Sequence, residues 1–216
     1  MGLPLPRSFL PPPAVVELVR KAFRLYFGVF HFTRFTGREN LPPPGPVLFA
    51  ANHTSYYDAF LVATGQDHLV RFMTWDVYFS RPLLGRFISD WGAFPMDPEG
   101  SDPGGYRQCL KLLKAGERVL VFPEGRRSFD GELLPLMPGV ARLAIRADAP
   151  IVPVRITGAH RAWPRGDFAP RPWFEIQVHY ERPIHPRPVR TAQERRAESA
   201  RITAALEEAL RSRPPR

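Results

Sequence analysis

The sequence has little cysteine and little lysine. A single cysteine, Cys109, among 216 residues excludes an internal disulfide and a metal cluster built on cysteine. The six histidines are scattered without the spacing of a ligand set, so no metal site is expected. Only three of the 30 basic residues are lysines. Almost all of the positive charge is therefore arginine, whose planar fork binds phosphate and carboxylate in a bidentate way.

The sequence has no long apolar run, and no targeting segment is expected from it. No uninterrupted apolar run reaches the ~20 residues that a membrane-spanning helix needs. The N-terminus, MGLPLPRSFLPPP, lacks the regions of a secretory signal, and Pro6 stands where a myristoylation motif has serine or threonine. We therefore expect a cytoplasmic protein.

The net charge of the sequence indicates possible classes of binding partner. A formal net charge of +9 is typical of proteins that bind nucleic acid, anionic membrane or phosphorylated small molecules. A biased genome composition would produce the same arginine content, so both explanations stay open at this point.

Length and patterning predict one α/β domain. A content of 44% hydrophobic and 24% charged residues is typical of a globular protein. Apolar strands are predicted at 47–51, 69–75, 91–96 and 119–122, and within 149–158 and 173–184. Helices are predicted at 105–117 and from Thr191, which has capping-box spacing to Glu194. Apolar strands alternating with helices indicate a largely parallel central sheet flanked by helices, over 36–190, with a C-terminal helix of the same domain over 191–216.

The N-terminal region divides into two parts. Residues 1–13 are proline-rich and are predicted to be extended. Residues 14–35 have apolar side chains at helical spacing, interrupted by Arg20, Lys21 and Arg24. An amphipathic helix with basic residues on one side and bulky aromatics on the other can lie in the membrane interface. We favour that interpretation; the alternative is that the aromatics pack on the core of the domain.

Two polar clusters follow predicted strands, where open α/β sheets collect their ligands. In the first, NHTSYYD, His53 and Asp58 are five positions apart. Within one helix this spacing turns the second side chain about 140° from the first. The two can meet only if His53 lies on the strand-to-helix turn and Asp58 in the first helical turn. Ser55 and Asp58 also have capping-box spacing, so a base oriented by a carboxylate and an ordinary helix entrance are both open.

The second cluster, PEGRRS, covers residues 123–128. Gly125 permits a tight turn, and Arg126 and Arg127 offer forked donors to a phosphate. Glu124 can restrain one arginine or accept from a substrate hydroxyl. The alternative is a polar loop whose charges are merely solvated.

Together the clusters resemble the motifs of a known family. NHTSYYD matches the NHxxxxD motif, and FPEGRRS resembles the FPEGTRS motif, of the glycerolipid acyltransferases related to bacterial 1-acylglycerol-3-phosphate acyltransferase. WGAFPMD and APIVPVRITG resemble the second and fourth blocks of that family. The four blocks stand in the family order over roughly residues 37–166.

The resemblance implies an O-acyltransferase. It would move a fatty acyl group from acyl-CoA or acyl carrier protein to a lysophospholipid, with 1-acylglycerol 3-phosphate as the leading acceptor. His53 would be the general base and Asp58 its partner, and no acyl-enzyme is implied. The thioester is a co-substrate, and no further cofactor is expected.

The resemblance also implies the remaining site residues and the location. The positions that hold the phosphorylated acceptor in the family correspond to Glu124, Gly125 and Arg127, and the predicted substrate-binding turn also contains Arg126 and Ser128. The block that shapes the acyl side in the family corresponds to Val152, Pro153 and Val154. Enzymes on such lipids need a bilayer, so the expected place is the inner face of the cell membrane, bound peripherally to anionic lipid.

Two departures from the family pattern leave the acceptor open. The second block usually has an arginine after its aspartate, but here Pro98 follows Asp97, and Arg126 stands where threonine is common. Arg107 or Arg126 can replace the contact that the missing arginine would make with the acceptor phosphate. Glycerol 3-phosphate, other lysophospholipids, a glycolipid or a carotenoid remain alternative acceptors.

Two other classes of function are alternatives to an acyltransferase. In a hydrolase, water would replace the acceptor hydroxyl. A basic protein could also bind nucleic acid or anionic membrane without catalysis, but the sequence has no recognisable nucleic-acid motif, and no nucleic-acid partner is expected.

Overall fold

A computed structural model describes residues 13–96 and 103–212. The strands are β1 (Arg34–Thr36), β2 (Val47–Ala51), β3 (Val70–Trp75), β4 (Ala93–Met96), β5 (Arg118–Val121), β6 (Ile151–Thr157) and β7 (Gln177–Tyr180). The α-helices are α1 (Pro13–His31), α2 (Asp58–Thr64), α3 (Pro82–Asp90), α4 (Pro103–Lys114), α5 (Gly139–Ala147), α6 (Ala159–Ala162) and α7 (Ala192–Arg211). Of the predicted extended segment at 1–13, residues 1–12 lie outside the described residues and Pro13 begins α1. Asp97 and Pro98 also lie outside the described residues.

All the strands form one sheet, in the order β1-β7-β6-β2-β5-β3-β4. Every pair is parallel except β6 with β7. The prediction of a single α/β domain with a largely parallel sheet is confirmed. The predicted strand within 173–184 is reduced to Gln177–Tyr180 and runs antiparallel to β6.

The apolar run of β2 is explained by helices on both faces of the sheet. All of Val47–Ala51 is buried. Phe49 belongs to a core that includes Phe27 of α1 and Leu61 of α2, whereas Leu48 belongs to a second core with Leu113 of α4 and Ile202 of α7. Because successive strand residues point to opposite faces, a strand covered on both sides must be apolar at every position.

The N-terminal helix is shorter than predicted and is followed by a strand that was not predicted. α1 ends at His31, Phe32 takes a positive φ of 47°, and β1 pairs with β7 through Phe35 opposite Val178. A non-glycine residue in the left-handed region breaks a helix. The apolar residue at position 35 therefore belongs to a sheet edge and not to the helical stripe.

The predicted polarity of α1 is wrong. Phe27 is fully buried, so the aromatic side packs on the core of the domain. Arg20 donates to the carbonyl of Asp67 (2.9 Å) and Arg24 to that of Thr64 (2.9 Å), at the end of α2. Both arginines therefore bind the protein, and the outward face of the helix is made of other residues.

The C-terminal helix has the predicted start. The Glu194 N–H donates to the Thr191 hydroxyl (3.1 Å), and the Thr191 N–H donates to the Glu194 carboxylate (3.0 Å). The capping box is confirmed. Across residues 13–96 and 103–212, no helix has the length and apolar character that crossing a bilayer requires.

Candidate active site

Two turns lie side by side at the carboxyl edge of the sheet. β2 and β5 are parallel neighbours, with Ala50 opposite Val121. Each strand therefore delivers the residues that follow it to the same edge. The Ser128 N–H donates to the His53 carbonyl (2.8 Å), which joins the two turns directly.

His53 and Asp58 are in contact. The His53 Nδ1–H donates to Asp58 Oδ2 at 2.9 Å, with His53 on the turn and Asp58 as the first residue of α2. The Asp58 side chain is inaccessible, whereas that of His53 keeps 21% of its surface exposed. Because a carboxylate can only accept, the proton is held on Nδ1, and Nε2 is left to accept a proton from a ligand.

The Asp58 carboxylate also shapes the turn. Its Oδ2 accepts the backbone N–H groups of Thr54 (2.6 Å) and Ser55 (2.8 Å). The predicted capping box is present only in part: α2 begins after Tyr57 and not after Ser55, but the Ser55 hydroxyl accepts from the Tyr57 N–H (3.1 Å) as well as donating to the Trp163 carbonyl (2.9 Å). The turn is thus held by the same oxygen that orients the imidazole.

Two neighbours of His53 were missed by sequence reasoning. The His53 ring stacks on Phe122, with centroids 3.8 Å apart and planes 12° from parallel. The Asn52 amide exchanges hydrogen bonds with the backbone of Ile156 (2.9 and 2.8 Å) and so continues the pairing of β2 with β6 past the end of β2. Asn52 is the first residue of the first cluster and Phe122 directly precedes the second, and those positions are the signal that could have identified them.

Glu124 lies beneath the site. It is 5% exposed, and its carboxylate accepts the N–H of His53 (2.6 Å) and of Leu134 (2.8 Å). Burial raises the pKa of Glu124, and the nearby charge of Asp58 adds to the rise, while the two N–H donors oppose it. This corrects the expectation that Glu124 restrains an arginine or accepts from a substrate: it holds the backbone of His53.

Ser128 and Gly125 shape the second turn. The Ser128 hydroxyl is fully buried; it donates to Asp130 Oδ1 (2.7 Å) and accepts from the Gly131 N–H (3.1 Å). The expectation that Ser128 contacts the acceptor is therefore wrong for this hydroxyl. Gly125 has a φ of 70°, and a Cβ there would lie 2.7 Å from the Met137 sulfur, so the turn requires glycine for two reasons.

The arginines are the part of the second turn that faces outward. The Arg127 guanidinium lies 3.7 Å from the centroid of the Tyr56 ring, which belongs to the first turn. Arg126 is exposed and forms no ion pair with any residue in 13–96 or 103–212. Arg165, which sequence reasoning missed, donates to the Arg127 carbonyl (3.4 Å). Arg107 instead lies on α4, in a separate depression.

The three residues predicted for the acyl side lie inside the sheet. Val152 and Val154 are fully inaccessible, and Pro153 between them is also buried. Val152 pairs with Phe49 and Val154 with Ala51. These side chains support β2 from within the core and do not contact an acyl chain directly, so their predicted part in shaping the acyl side stays a prediction.

A tyrosine pair joins α1 to the first turn. The Tyr26 and Tyr57 hydroxyls are 2.5 Å apart. Burial, together with this contact, raises the pKa of Tyr57 above its ordinary value, so the Tyr57 hydroxyl stays protonated. The surface helix is therefore bonded to the turn that carries His53.

Known proteins resemble this chain in sequence and in fold. The family described as Acyltransferase matches residues 32–157. The 1-acyl-sn-glycerol-3-phosphate acyltransferase BAT2, chloroplastic, of Brassica napus is 32% identical over 161 residues, which are 72% of this chain and 46% of that protein. A Bacillus subtilis (strain 168) protein named 1-acyl-sn-glycerol-3-phosphate acyltransferase is 32% identical over 122 residues, 56% of this chain and 60% of that protein. The chain thus spans about half the length of these curated relatives.

The fold has a counterpart among solved structures. The crystal structure of the 1-acyl-sn-glycerophosphate (LPA) acyltransferase PlsC from Thermotoga maritima superimposes with a TM-score of 0.69 at 24% sequence identity. The match covers 92% of this chain and 81% of that chain. At this identity the likeness supports the fold.

Proposed function

The chain belongs to the acyltransferase family, and on that basis we propose that it acylates the free hydroxyl of 1-acylglycerol 3-phosphate with an acyl thioester. The observation that carries the proposal is an imidazole held by a buried carboxylate, with no bond from its second nitrogen to a described residue, beside outward arginines. The names of the relatives from Brassica napus and Bacillus subtilis support this acceptor.

His53 would act as the general base. Its Nε2 takes the proton of the glycerol hydroxyl while the hydroxyl oxygen attacks the thioester carbonyl. The new C–O bond forms, the C–S bond breaks, and the departing thiolate receives the proton from the imidazolium. Asp58 stabilises that imidazolium from the Nδ1 side. General-base help of this kind contributes about 10²–10⁴ in rate.

Arg126 and Arg127 would hold the acceptor phosphate. Both follow Gly125 directly, on the turn bonded to the His53 carbonyl. A guanidinium binds phosphate with two parallel hydrogen bonds. The Tyr56 ring already orients Arg127, so Arg127 loses less side-chain freedom on binding than a free arginine would.

A membrane surface is proposed on the outward side of α1. Leu18 and Leu25 are each 68% exposed and Val29 is 48% exposed, at the spacing of one helix face. Leu83 of α3, 89% exposed, adds to the exposed apolar surface. This face replaces the predicted arrangement of aromatics opposite basic residues, because Arg20 and Arg24 bind carbonyl groups of the domain and Phe27 is buried in its core. The expected cytoplasmic, peripheral location stays a prediction.

The reaction is tested by following thiol release from palmitoyl-CoA with 1-acylglycerol 3-phosphate and identifying the lipid product. We expect acceptor-dependent release that His53→Ala lowers by about 10²–10⁴. His185→Ala removes an exposed imidazole elsewhere and should leave the rate unchanged. Full activity in His53→Ala would contradict the proposal, and free fatty acid without acylated lipid would identify a hydrolase.

Membrane binding is tested by sedimentation with vesicles that contain anionic phospholipid. Leu25→Glu places a charge on the proposed surface, and we expect binding to weaken by about tenfold. Ala204→Glu, on exposed α7 across the sheet, carries the same change and should bind as the unchanged protein does. Equal binding by both variants would rule out this surface.

A further inference from the structure

A groove lies on the face of the sheet opposite to α1 and takes no part in the proposed reaction. It lies between α5 and α7 and encloses about 1060 Å³. Arg142 and Arg146 line it from α5, and Arg195 and Arg196 line it from α7. Its remaining surface is built mainly from apolar and small side chains, which include Ile145, Ser199, Ala200, Thr203 and Ala204.

The positive charge of this groove is compensated only weakly within the part of the chain that the structure describes, by the charge of Glu194 near Arg195. The four arginines are exposed, and none of them forms an ion pair or donates a side-chain hydrogen bond to a described residue. The carboxylate of Glu207, which also lines the groove, is already bound by Arg211 (2.9 Å). The groove therefore presents free guanidinium groups around an apolar floor.

We propose that this groove docks an acidic amphipathic helix of a partner protein. In the function proposed above, on which this step rests, the partner is the acyl carrier protein that delivers the thioester. A helix docks in a groove through its apolar side, and the small residues of α7 allow a close approach. Arginines on both walls then meet acidic side chains that flank the apolar side of the partner helix.

One end of the groove adjoins the active-site turn. Leu136 and Pro138 line the groove, and Met137 between them donates its N–H to the Pro123 carbonyl (2.8 Å). The Met137 sulfur also lies against Gly125. A carrier bound in the groove is thus separated from the Gly125 turn by one residue, so its thioester arm can enter beside His53.

The position of the groove favours a soluble partner over a lipid surface. α1, with the proposed membrane surface, belongs to the core on one face of the sheet, whereas α4, α5 and α7 belong to the core on the other. A bilayer that contacts α1 leaves the groove open to water. A carrier protein can therefore bind while the enzyme stays on the membrane.

The test compares two double variants of the full chain. Arg142→Glu/Arg146→Glu reverses two charges in the groove. Lys111→Glu/Lys114→Glu makes the same change in charge on α4, in the separate depression that contains Arg107. Direct binding of acyl carrier protein is measured at low salt in the His53→Ala background without acceptor. KM is then measured with palmitoyl carrier protein and with palmitoyl-CoA.

We expect the groove variant to bind the carrier protein about tenfold more weakly, with a matching rise in KM for palmitoyl carrier protein. KM for palmitoyl-CoA should not change, and the α4 variant should behave as the unchanged protein. Loss of carrier binding without acyl transfer from any donor would support the groove and refute the proposed reaction.

Three outcomes would overturn the groove proposal while leaving the proposed reaction intact. In the first, the unchanged protein does not bind the carrier protein but uses palmitoyl-CoA. In the second, both double variants weaken carrier binding equally. In the third, the groove variant raises KM for palmitoyl-CoA alone, which would identify a nucleotide site. Thermal unfolding of each variant checks that these exposed substitutions leave the fold intact.

Discussion

The turns after β2 and β5 follow the same plan but differ in what their carboxylates hold. Asp58 accepts the N–H groups of Thr54 and Ser55, and Glu124 accepts those of His53 and Leu134. Asp58 has an imidazole N–H as a third donor, whereas Glu124 contacts backbone alone. A buried carboxylate that accepts only backbone N–H groups fixes the conformation of the turn. A buried carboxylate that also accepts from a side chain can change the chemistry of that side chain.

The difference defines two kinds of residue at one site. Asp58 acts through the ring of His53, and Glu124 acts through the backbone of His53. Removing the charge at position 58 should change the basicity of the imidazole, while removing it at position 124 should change only where the imidazole lies. The substitutions below test that distinction, beginning with the largest expected effect.

Asp58→Asn should lower kcat by about 10²–10⁴. The amide oxygen can still accept from the turn, but the negative charge that stabilises the imidazolium is gone. The amide NH₂ would also occupy the buried place of Oδ1, which has no partner among the described residues. An unsatisfied donor there costs about 1–3 kcal/mol of the free energy of unfolding. Steady-state kinetics and urea unfolding measure the two effects.

Asp76→Asn provides the control for this substitution, because Asp76 is exposed. Its kcat and its unfolding free energy should match those of the unchanged protein. If Asp58→Asn kept more than half of the activity, the carboxylate would be a part of the turn alone, and the two turns would not differ.

Glu124→Gln should lower kcat by about tenfold, with little change in KM for the acceptor. A glutamine oxygen can accept one backbone N–H, but its NH₂ then opposes the other, at a cost of about 1–3 kcal/mol. Amide hydrogen exchange at His53 and Leu134 should speed up in the variant. Glu132→Gln, an exposed change in the same loop, should alter neither, and unchanged exchange in Glu124→Gln would contradict a positioning role.

The same variant gives a pH test. Because burial raises the pKa of Glu124 in the folded protein, ionising it costs stability. The contribution of protonated Glu124 to the unfolding free energy is complete below the pKa of the unfolded state, about 4.3. It is lost as the pH rises through the higher pKa of the folded state. The unfolding free energy of the unchanged protein should therefore fall relative to Glu124→Gln across that window. Parallel curves in urea unfolding would show that Glu124 is not desolvated.

Arg127→Ala should raise KM for 1-acylglycerol 3-phosphate by about tenfold and leave kcat nearly unchanged, as expected when ground state and transition state are bound alike. Arg126→Ala should raise KM less, because Arg126 has no aromatic support and loses more freedom on binding. A monoacylglycerol, which lacks the phosphate, is the control acceptor. Equal effects of Arg127→Ala on both acceptors would refute a phosphate contact.

Local rules predicted much of these turns from the sequence. The apolar run at 47–51 predicts β2, and helix geometry predicts that His53 precedes the helix that Asp58 begins if the two side chains are to meet. The contact of His53 with Glu124 joins positions 71 apart. It exists because β2 and β5 pair in parallel, and no spacing along the chain encodes that pairing.

Other features were predicted incorrectly or only in part because a pattern shows which residues share a face without showing what that face meets. Arg20 and Arg24 have the spacing of a basic stripe, yet they bind carbonyl groups at the end of α2. Val152 and Val154 follow a family block, but their burial depends on which strands flank β6. Ser128 follows the exposed Arg126 and the half-buried Arg127 in sequence and is itself buried.

The smallest effect separates the shape of the second turn from its packing. Gly125 and Gly116 both have positive φ, 70° and 82°, but a Cβ meets the Met137 sulfur at Gly125 and nothing within 4 Å at Gly116. Each alanine substitution costs about 1–2 kcal/mol of backbone strain. Gly125→Ala should cost about a further 0.5–1 kcal/mol to move the methionine.

Urea unfolding of Gly125→Ala, Gly116→Ala and Gly125→Ala/Met137→Ala measures that difference. Met137 is 58% exposed, so truncating it is cheap and should return the double variant to the stability of Gly116→Ala. If the two single variants have the same unfolding free energy, the Met137 side chain moves away from position 125 without a cost in stability. The second turn would then need glycine only for its backbone, and the packing that joins this turn to the groove between α5 and α7 would be loose enough to adjust when a carrier protein binds.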